Sequence, residues 1–161
     1  MKKIINPFIE IGNKHNYNCF GCSPFNEIGL QLDFWEEGDY LIAKWQPRKS
    51  LEGWNGILHG GIQATLLDEL GGWIVMIKMK TAGVTAEMNV EYIKPLTLSK
   101  GEITIKGRLI AVEKRIAKIE CSLFDKDGVE YAKGKLNYFH FPENIAKERY
   151  FYPGIEAFYE K

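Results

Sequence analysis

His59, Gly60 and Gly61 open the segment ILHGGIQATLLDELGGWIVM, and Asp68 and Glu69 sit in its otherwise apolar middle. Two residues without side chains at a helix start present backbone N–H groups at the positive end of the helix dipole. Such donors can hold the oxyanion that develops when a carbonyl is attacked. A carboxylate further along can take a proton from water or attack directly. Plainer readings stand beside this one. The glycines could serve close packing, the acids could lie on a solvated edge, and a lone histidine is more often structural than catalytic.

These residues need a helix to carry them, and the spacing predicts one that starts at Gly60 or Gly61. At about 100° per residue, Ile62, Leu66, Leu70, Trp73, Ile74 and Ile77 share a broad apolar arc, which Leu67 extends. Gly61, Thr65, Asp68 and Gly72 fall on a separate narrow stripe, small residues around one acid. The arc suits a sheet, and the stripe leaves room for something to approach Asp68. Lys78 and Lys80 bring cations to the C-terminal end, where the dipole favours them.

Strands surround this helix. LQLDFWEEGDYLIAKWQP reads as two strands that meet at Glu37-Gly38-Asp39. After the helix, VTAEMNVEYI alternates, with Val84, Ala86, Met88, Val90 and Tyr92 on one face and Thr85, Glu87, Asn89 and Glu91 on the other. GEITIKGRLIAV, RIAKIECSLF and VEYAKGKLNYFHF follow, with Ile103, Ile105, Ala117, Ile119, Cys121 and Leu123 as inward candidates and Asp125 to Gly128 as a hairpin turn. The order is strand, strand, long helix, then four strands in antiparallel meander style. One helix cannot cover both faces of six strands, so the sheet wraps around it or a partner covers the remainder.

The totals fit one domain over residues 1–161, with segments 1–27 and 142–161 peripheral and the helix content of the tail left open. The 21 basic residues balance the 21 acidic ones, which gives no electrostatic footprint for nucleic acid or an anionic membrane. The N-terminal MKKIINPFIE is broken by Asn6, Pro7 and Glu10 and fails as a signal peptide. The longest greasy stretch contains Asp68 and Glu69 and is too short to span a bilayer, so cytoplasm is the expected compartment. Cys19, Cys22 and Cys121 make no disulfide framework. His15, Cys19 and Cys22 have spacings that zinc could use. No second ligand pair follows at finger spacing, and the expectation is an ordinary reduced turn without metal.

With these residues in view, the chain resembles the hotdog-fold acyl-CoA thioesterases, specifically the PaaI-like and THEM-type branch. The family's His-Gly-Gly with a spaced Asp stands here as HGGIQATLLD, His59 to Asp68. VTAEMNVEYIKPL is similar to the strand after the family's helix, and CFGCSPFNEIGLQL to the N-terminal segment of the branch. The resemblance runs over roughly residues 17 to 140. It implies an α+β hotdog fold, an antiparallel sheet of about six strands wrapped around one helix. It also implies a homodimer or dimer of dimers with active sites at the subunit interface, no cofactor, and hydrolysis of a small or medium acyl- or aryl-CoA to the acid and CoA.

By the same resemblance Asp68 matches the catalytic carboxylate, as general base or nucleophile. Gly60 matches the glycine whose amide faces the thioester carbonyl, and Gly61 is the next residue of that motif. His59 matches the motif histidine, and Thr85 the Thr or Ser that orients the water or Asp68. Some relatives carry an Asn or Gln six residues before the histidine. Here that position is Gly53, with Asn55 and Glu52 as possible substitutes for the second oxyanion contact.

Two other readings are carried. A hotdog module that binds acyl-CoA without turnover is disfavoured by the presence of Asp68. A hotdog hydratase would give a role to His140-Phe141-Pro142, although in that class the motif precedes the helix. Trp54, Trp73, Met76 and Met79 are candidates for an acyl pocket, each with core packing as its plainer role. Lys94 and Arg108 are candidates for CoA phosphates on charge alone.

Overall fold

A computed structural model of the chain describes the backbone throughout and every side chain outside residues 12–15. The side chain of His15, one of the zinc-compatible positions, therefore lies outside the described residues. In chain order the elements are β1 (Lys2–Ile4), α1 (Phe8–His15), β2 (Phe34–Glu37), β3 (Tyr40–Trp45) and α2 (Gly60–Ile74), which runs on as a π-helical turn (Val75–Met79). There follow β4 (Gly83–Tyr92), β5 (Ile103–Glu113), β6 (Ile116–Phe124), β7 (Glu130–His140) and α3 (Glu143–Tyr150).

The strands form one sheet in the order β1-β2-β3-β5-β6-β7-β4, with every neighbouring pair antiparallel. This hotdog arrangement differs from the expected pattern in two ways. Lys2–Ile4 adds a seventh strand by pairing with Phe34–Glu36. The four later strands are not a simple meander, because β3 takes the edge of β5, with Tyr40 opposite Arg108 and Trp45 opposite Ile103. The chain leaving α2 therefore reaches the far edge, where β4 pairs with β7. The helix crosses the sheet and carries the chain from one side to the other.

The predicted apolar arc is what the sheet covers. Leu66, Leu67, Leu70, Trp73 and Ile74 are buried against Ile103, Ile105, Ala117, Ile119, Leu123 and Leu136, all of which are buried as well. Each such side chain contributes about 1.5–3 kcal/mol through removal from water. Trp73 stacks on Phe34 with ring centroids 4.3 Å apart and meets the edge of Phe158 at 5.8 Å. Phe158 belongs to a short 3-10 turn, Ile155–Phe158, near the C-terminus. Its carbonyl accepts from the Ile5 N–H at 2.9 Å, so the two ends of the chain meet over the same part of the core. Among the described residues no helix is long and apolar enough to cross a membrane.

Gly107 on β5 leaves room for Cys121 and Glu120 of β6 and for Ile74 of α2. A Cβ there would lie 2.4 Å from Cys121 Sγ, 2.7 Å from the Glu120 carbonyl and 3.1 Å from Ile74 Cδ1. Overpacking of this kind costs about 1–3 kcal/mol. Gly107→Ala is expected to lower the urea midpoint by the equivalent of that loss. An unchanged midpoint would show that neither β6 nor the helix crowds Gly107 as described.

Candidate active site

The start of α2 is built by its own histidine. His59 has φ −55 and ψ 133 and stands as N-cap, with Nδ1 accepting from the Gly61 N–H at 2.9 Å. Because Nδ1 accepts, the neutral ring carries its proton on Nε2. The cap satisfies one of the orphan donors of a helix N-terminus and removes the Gly61 amide from any oxyanion role. Among the described residues no acceptor in the chain takes the Gly60 N–H. The Gly60 carbonyl accepts from Tyr92 Oη at 2.6 Å, which pins this turn to the end of β4.

The loop before the cap is closed on itself. Glu52 Oε2 accepts from the Gly56 N–H at 2.9 Å, and the Gly53 N–H donates to the Ile57 carbonyl at 2.9 Å. Gly53 faces His59, since a Cβ there would come 3.5 Å from the imidazole. Glu52 thus serves the loop. Asn55 is exposed within it, and no described hydrogen bond joins Asn55 to His59 or Asp68.

Asp68 lies two turns further along α2, and the sheet holds it there. Its Oδ1 accepts from Thr85 Oγ1 at 2.7 Å and from Tyr138 Oη at 2.7 Å. The same Tyr138 hydroxyl lies 2.6 Å from the Asp68 backbone carbonyl. Burial, followed by the charge of Asp68, pushes the Tyr138 phenol well above its ordinary range, so the hydroxyl keeps its proton and remains a donor. The tyrosine can stand there because Gly71 has no side chain. A Cβ would fall 2.4 Å from Tyr138 Oη. Asp68 itself is half-buried, with Oδ2 free of any described protein partner.

Thr85 reaches Asp68 through a break in the expected alternation. The β4–β7 register pairs Thr85 with Tyr138 but Glu87 with Asn137, leaving Ala86 as an extra residue. A bulge of this kind reverses which side chains face inward. Thr85 consequently shares a face with Met88 instead of opposing it, which corrects the face assignment made from the sequence.

Residues 55–132 match the family described as the thioesterase superfamily. A Saccharolobus solfataricus protein carrying an esterase name is 33% identical over 102 residues, 63% of this chain and 66% of that protein. Acyl-coenzyme A thioesterase 13 of Mus musculus is 33% identical over 72 residues, 44% of this chain and 51% of that protein. A solved Streptococcus mutans UA159 protein, bound to acetyl CoA, superposes with a TM-score of 0.64 at 21% identity, over 79% of this chain and 98% of that one. Over residues 55–132 the chain is similar to the thioesterase superfamily, and its fold is that of the solved Streptococcus mutans protein. The chain spans between about half and two thirds of the length of these curated relatives.

Set on this hotdog scaffold, the predicted site residues separate into groups. Asp68 and Thr85 are brought together, His59, Gly60 and Gly61 form the helix start, and Asn55 joins neither. Gly60 and Asp68 are eight residues apart, roughly 12 Å along one helix at 1.5 Å per residue. Of the acyl-pocket candidates, Trp54 is 86% exposed and Trp73 is in the core, while Met76 and Met79 are half-buried. His140 is held by the Lys114 carbonyl at 3.1 Å, outside the Asp68 cluster.

Tyr138 escaped the sequence reading, and Glu69 was singled out there without a role of its own. Tyr138 follows Leu136 on the inward side of β7, and its signal is a hydroxyl in an otherwise aliphatic alternation. Glu69 turns away from Asp68 into a buried cluster, where it accepts from Trp73 Nε1 at 3.2 Å and from the Cys19 thiol at 3.4 Å. Burial pushes its carboxyl above the usual range.

Tyr138→Phe removes a donor to a carboxylate and is expected to cost about 1–2 kcal/mol of stability in urea unfolding. Combined with Thr85→Val, the loss should deviate from additivity by about 0.5 kcal/mol or more, because both hydroxyls serve one oxygen. Strict additivity would mean that they do not share it.

Proposed function

We propose that the protein is an acyl-CoA thioesterase of the PaaI-like and THEM-type branch, cleaving a small or medium acyl- or aryl-CoA to the free acid and CoA. The observation that carries this reading is the Asp68 carboxylate. One of its oxygens is pinned by Thr85 and Tyr138, the other has no described protein partner, and a helix-start amide at Gly60 is left without a partner among the described residues. The name of the Mus musculus relative and the acetyl CoA held by the Streptococcus mutans protein are consistent with it.

In this mechanism a water beside Asp68 attacks the thioester carbon while Asp68 accepts its proton. The carbonyl oxygen gathers negative charge and is held by a Gly60 N–H. Collapse of the tetrahedral intermediate breaks the carbon–sulfur bond, and the CoA sulfur leaves with its electron pair to be protonated. If Asp68 attacks instead, a mixed anhydride forms and water cleaves it. Thr85 and Tyr138 restrict the carboxylate to one orientation, which lowers the entropy cost of either route.

One chain cannot bring both groups to a single carbonyl, because roughly 12 Å of helix separates Gly60 from Asp68. The reading therefore includes a homodimer, alone or doubled, in which Gly60 of one copy meets Asp68 of the other. The β4 edge supports this choice, with Val84 42% and Tyr92 49% exposed. A cytoplasmic setting belongs to the same reading, supported by three free thiols.

An acyl-CoA panel from acetyl through aryl to long chain, followed by thiol release, is expected to find turnover that Asp68→Asn reduces by about 10²-fold or more in kcat. Full activity in that variant would remove Asp68 from the reaction. Single-turnover hydrolysis in heavy-oxygen water separates the two routes, since label retained on Asp68 marks the anhydride.

A further inference from the structure

On the side of α2 away from Asp68, three groups converge that the hydrolytic reading does not use. Cys19 Sγ, Cys22 Sγ and a Glu69 carboxylate oxygen lie within 4.8 Å of one another. We propose that Cys19, Cys22 and Glu69 form a structural binding site for a zinc-type divalent cation, which clamps the N-terminal segment onto the central helix.

The donor set has the right chemistry. Two thiols and one carboxylate suit Zn²⁺, which takes S at about 2.3 Å and O at about 2.0–2.2 Å. In a tetrahedron with those bond lengths a sulfur and an oxygen stand about 3.6 Å apart. Cys19 Sγ is 3.4 Å from Glu69 Oε1 and 3.6 Å from Oε2. The Cys19–Glu69 spacing is thus already that of a tetrahedral edge, and Cys22 Sγ lies within 4.8 Å of both.

Each donor is also oriented from behind, as metal ligands are. The Ser23 N–H closes the turn on the Cys19 carbonyl at 3.1 Å. Trp73 Nε1 donates to Glu69 Oε1. Tyr17 Oη lies 2.8 Å from Cys22 Sγ and is itself held by Asn6 Nδ2 at 3.1 Å. Gly21 clasps the carboxylate so closely that a Cβ there would lie 2.2 Å from Glu69 Cδ. No described lysine or arginine pairs with Glu69.

Without a cation, its hydrogen bond with Cys19 and then burial push the Cys22 thiol upward, burial pushes the Glu69 carboxyl upward, and the hydrogen bond with Cys22 draws the Cys19 thiol downward. Binding would displace up to three protons, one from each ligand, and no electron transfer is involved. Cys19, Cys22 and Glu69 line a cavity of about 330 Å³ together with Trp73 and Met76, which leaves space for a water as fourth ligand. The site joins residues fifty positions apart in sequence, and its metal acts on the fold independently of thioester hydrolysis.

The test is a cobalt titration of chelator-treated full-length protein under reductant. One equivalent of Co²⁺ is expected to give thiolate-to-cobalt absorption in the near ultraviolet and tetrahedral bands in the visible, which Zn²⁺ then bleaches. Cys19→Ser, Cys22→Ser and Glu69→Gln should each weaken binding roughly tenfold or more, while Cys121→Ser should leave it unchanged. Zn²⁺ should also raise the melting temperature of the parent and not of Cys22→Ser. Absence of the thiolate band in the parent, or its persistence when both Cys19 and Cys22 are replaced, overturns the site. A failed acyl-CoA panel leaves this result untouched.

Discussion

The hydroxyl of Tyr138 is the contact on which the arrangement depends. It reaches both the backbone carbonyl and the carboxylate of Asp68, so one phenol ties the helix to the sheet and aims the acid. The contact exists only because Gly71 lets an aromatic ring lie against the helix backbone. Once α2 is held at that distance from β7, Thr85 on the neighbouring strand falls within reach of the same oxygen. Packing and chemistry share this geometry, and a change that lifts the helix from the sheet also frees the carboxylate.

The start of the helix obeys a different constraint. A helix N-terminus has more amide donors than its own carbonyls can satisfy. His59 spends itself on one of them by accepting from Gly61. Tyr92 fixes the same turn through the Gly60 carbonyl, leaving the Gly60 N–H as the donor not consumed within the chain. The His-Gly-Gly order therefore sorts two adjacent amides into one that holds the fold and one that is available to a ligand.

Much of this was legible in the sequence. The apolar arc from Leu66 to Ile77, the inward positions of β5 and β6, and the turn at Asp125 follow from side-chain period and turn chemistry. Asp68 stood out as the acid on a stripe of small residues, and the sheet meets it there. Strand order was less legible, because alternation says which face a strand buries and not which edge it joins. Thr85 was assigned to the wrong face because one inserted residue, Ala86, reverses parity without leaving a compositional mark. Tyr138 was invisible until β7 was known to lie under Gly71, a relation between residues far apart in sequence.

Two acids in the middle of a greasy segment invite a single explanation, yet neighbours on a helix point about 100° apart and meet different surroundings. Asp68 looks toward β4 and β7, where hydroxyls donate to one oxygen and leave the other without a described protein partner. Glu69 looks toward the N-terminal turn, where two thiols and an indole N–H enclose it and burial favours its protonated form. The first acid is held and left accessible, while the second is enclosed among groups that share its preference for a proton or a cation. A helix buried on most of its circumference can carry two carboxylates side by side only if each finds its own partners. Here β4 and β7 supply them for one, and the Cys19–Cys22 turn supplies them for the other.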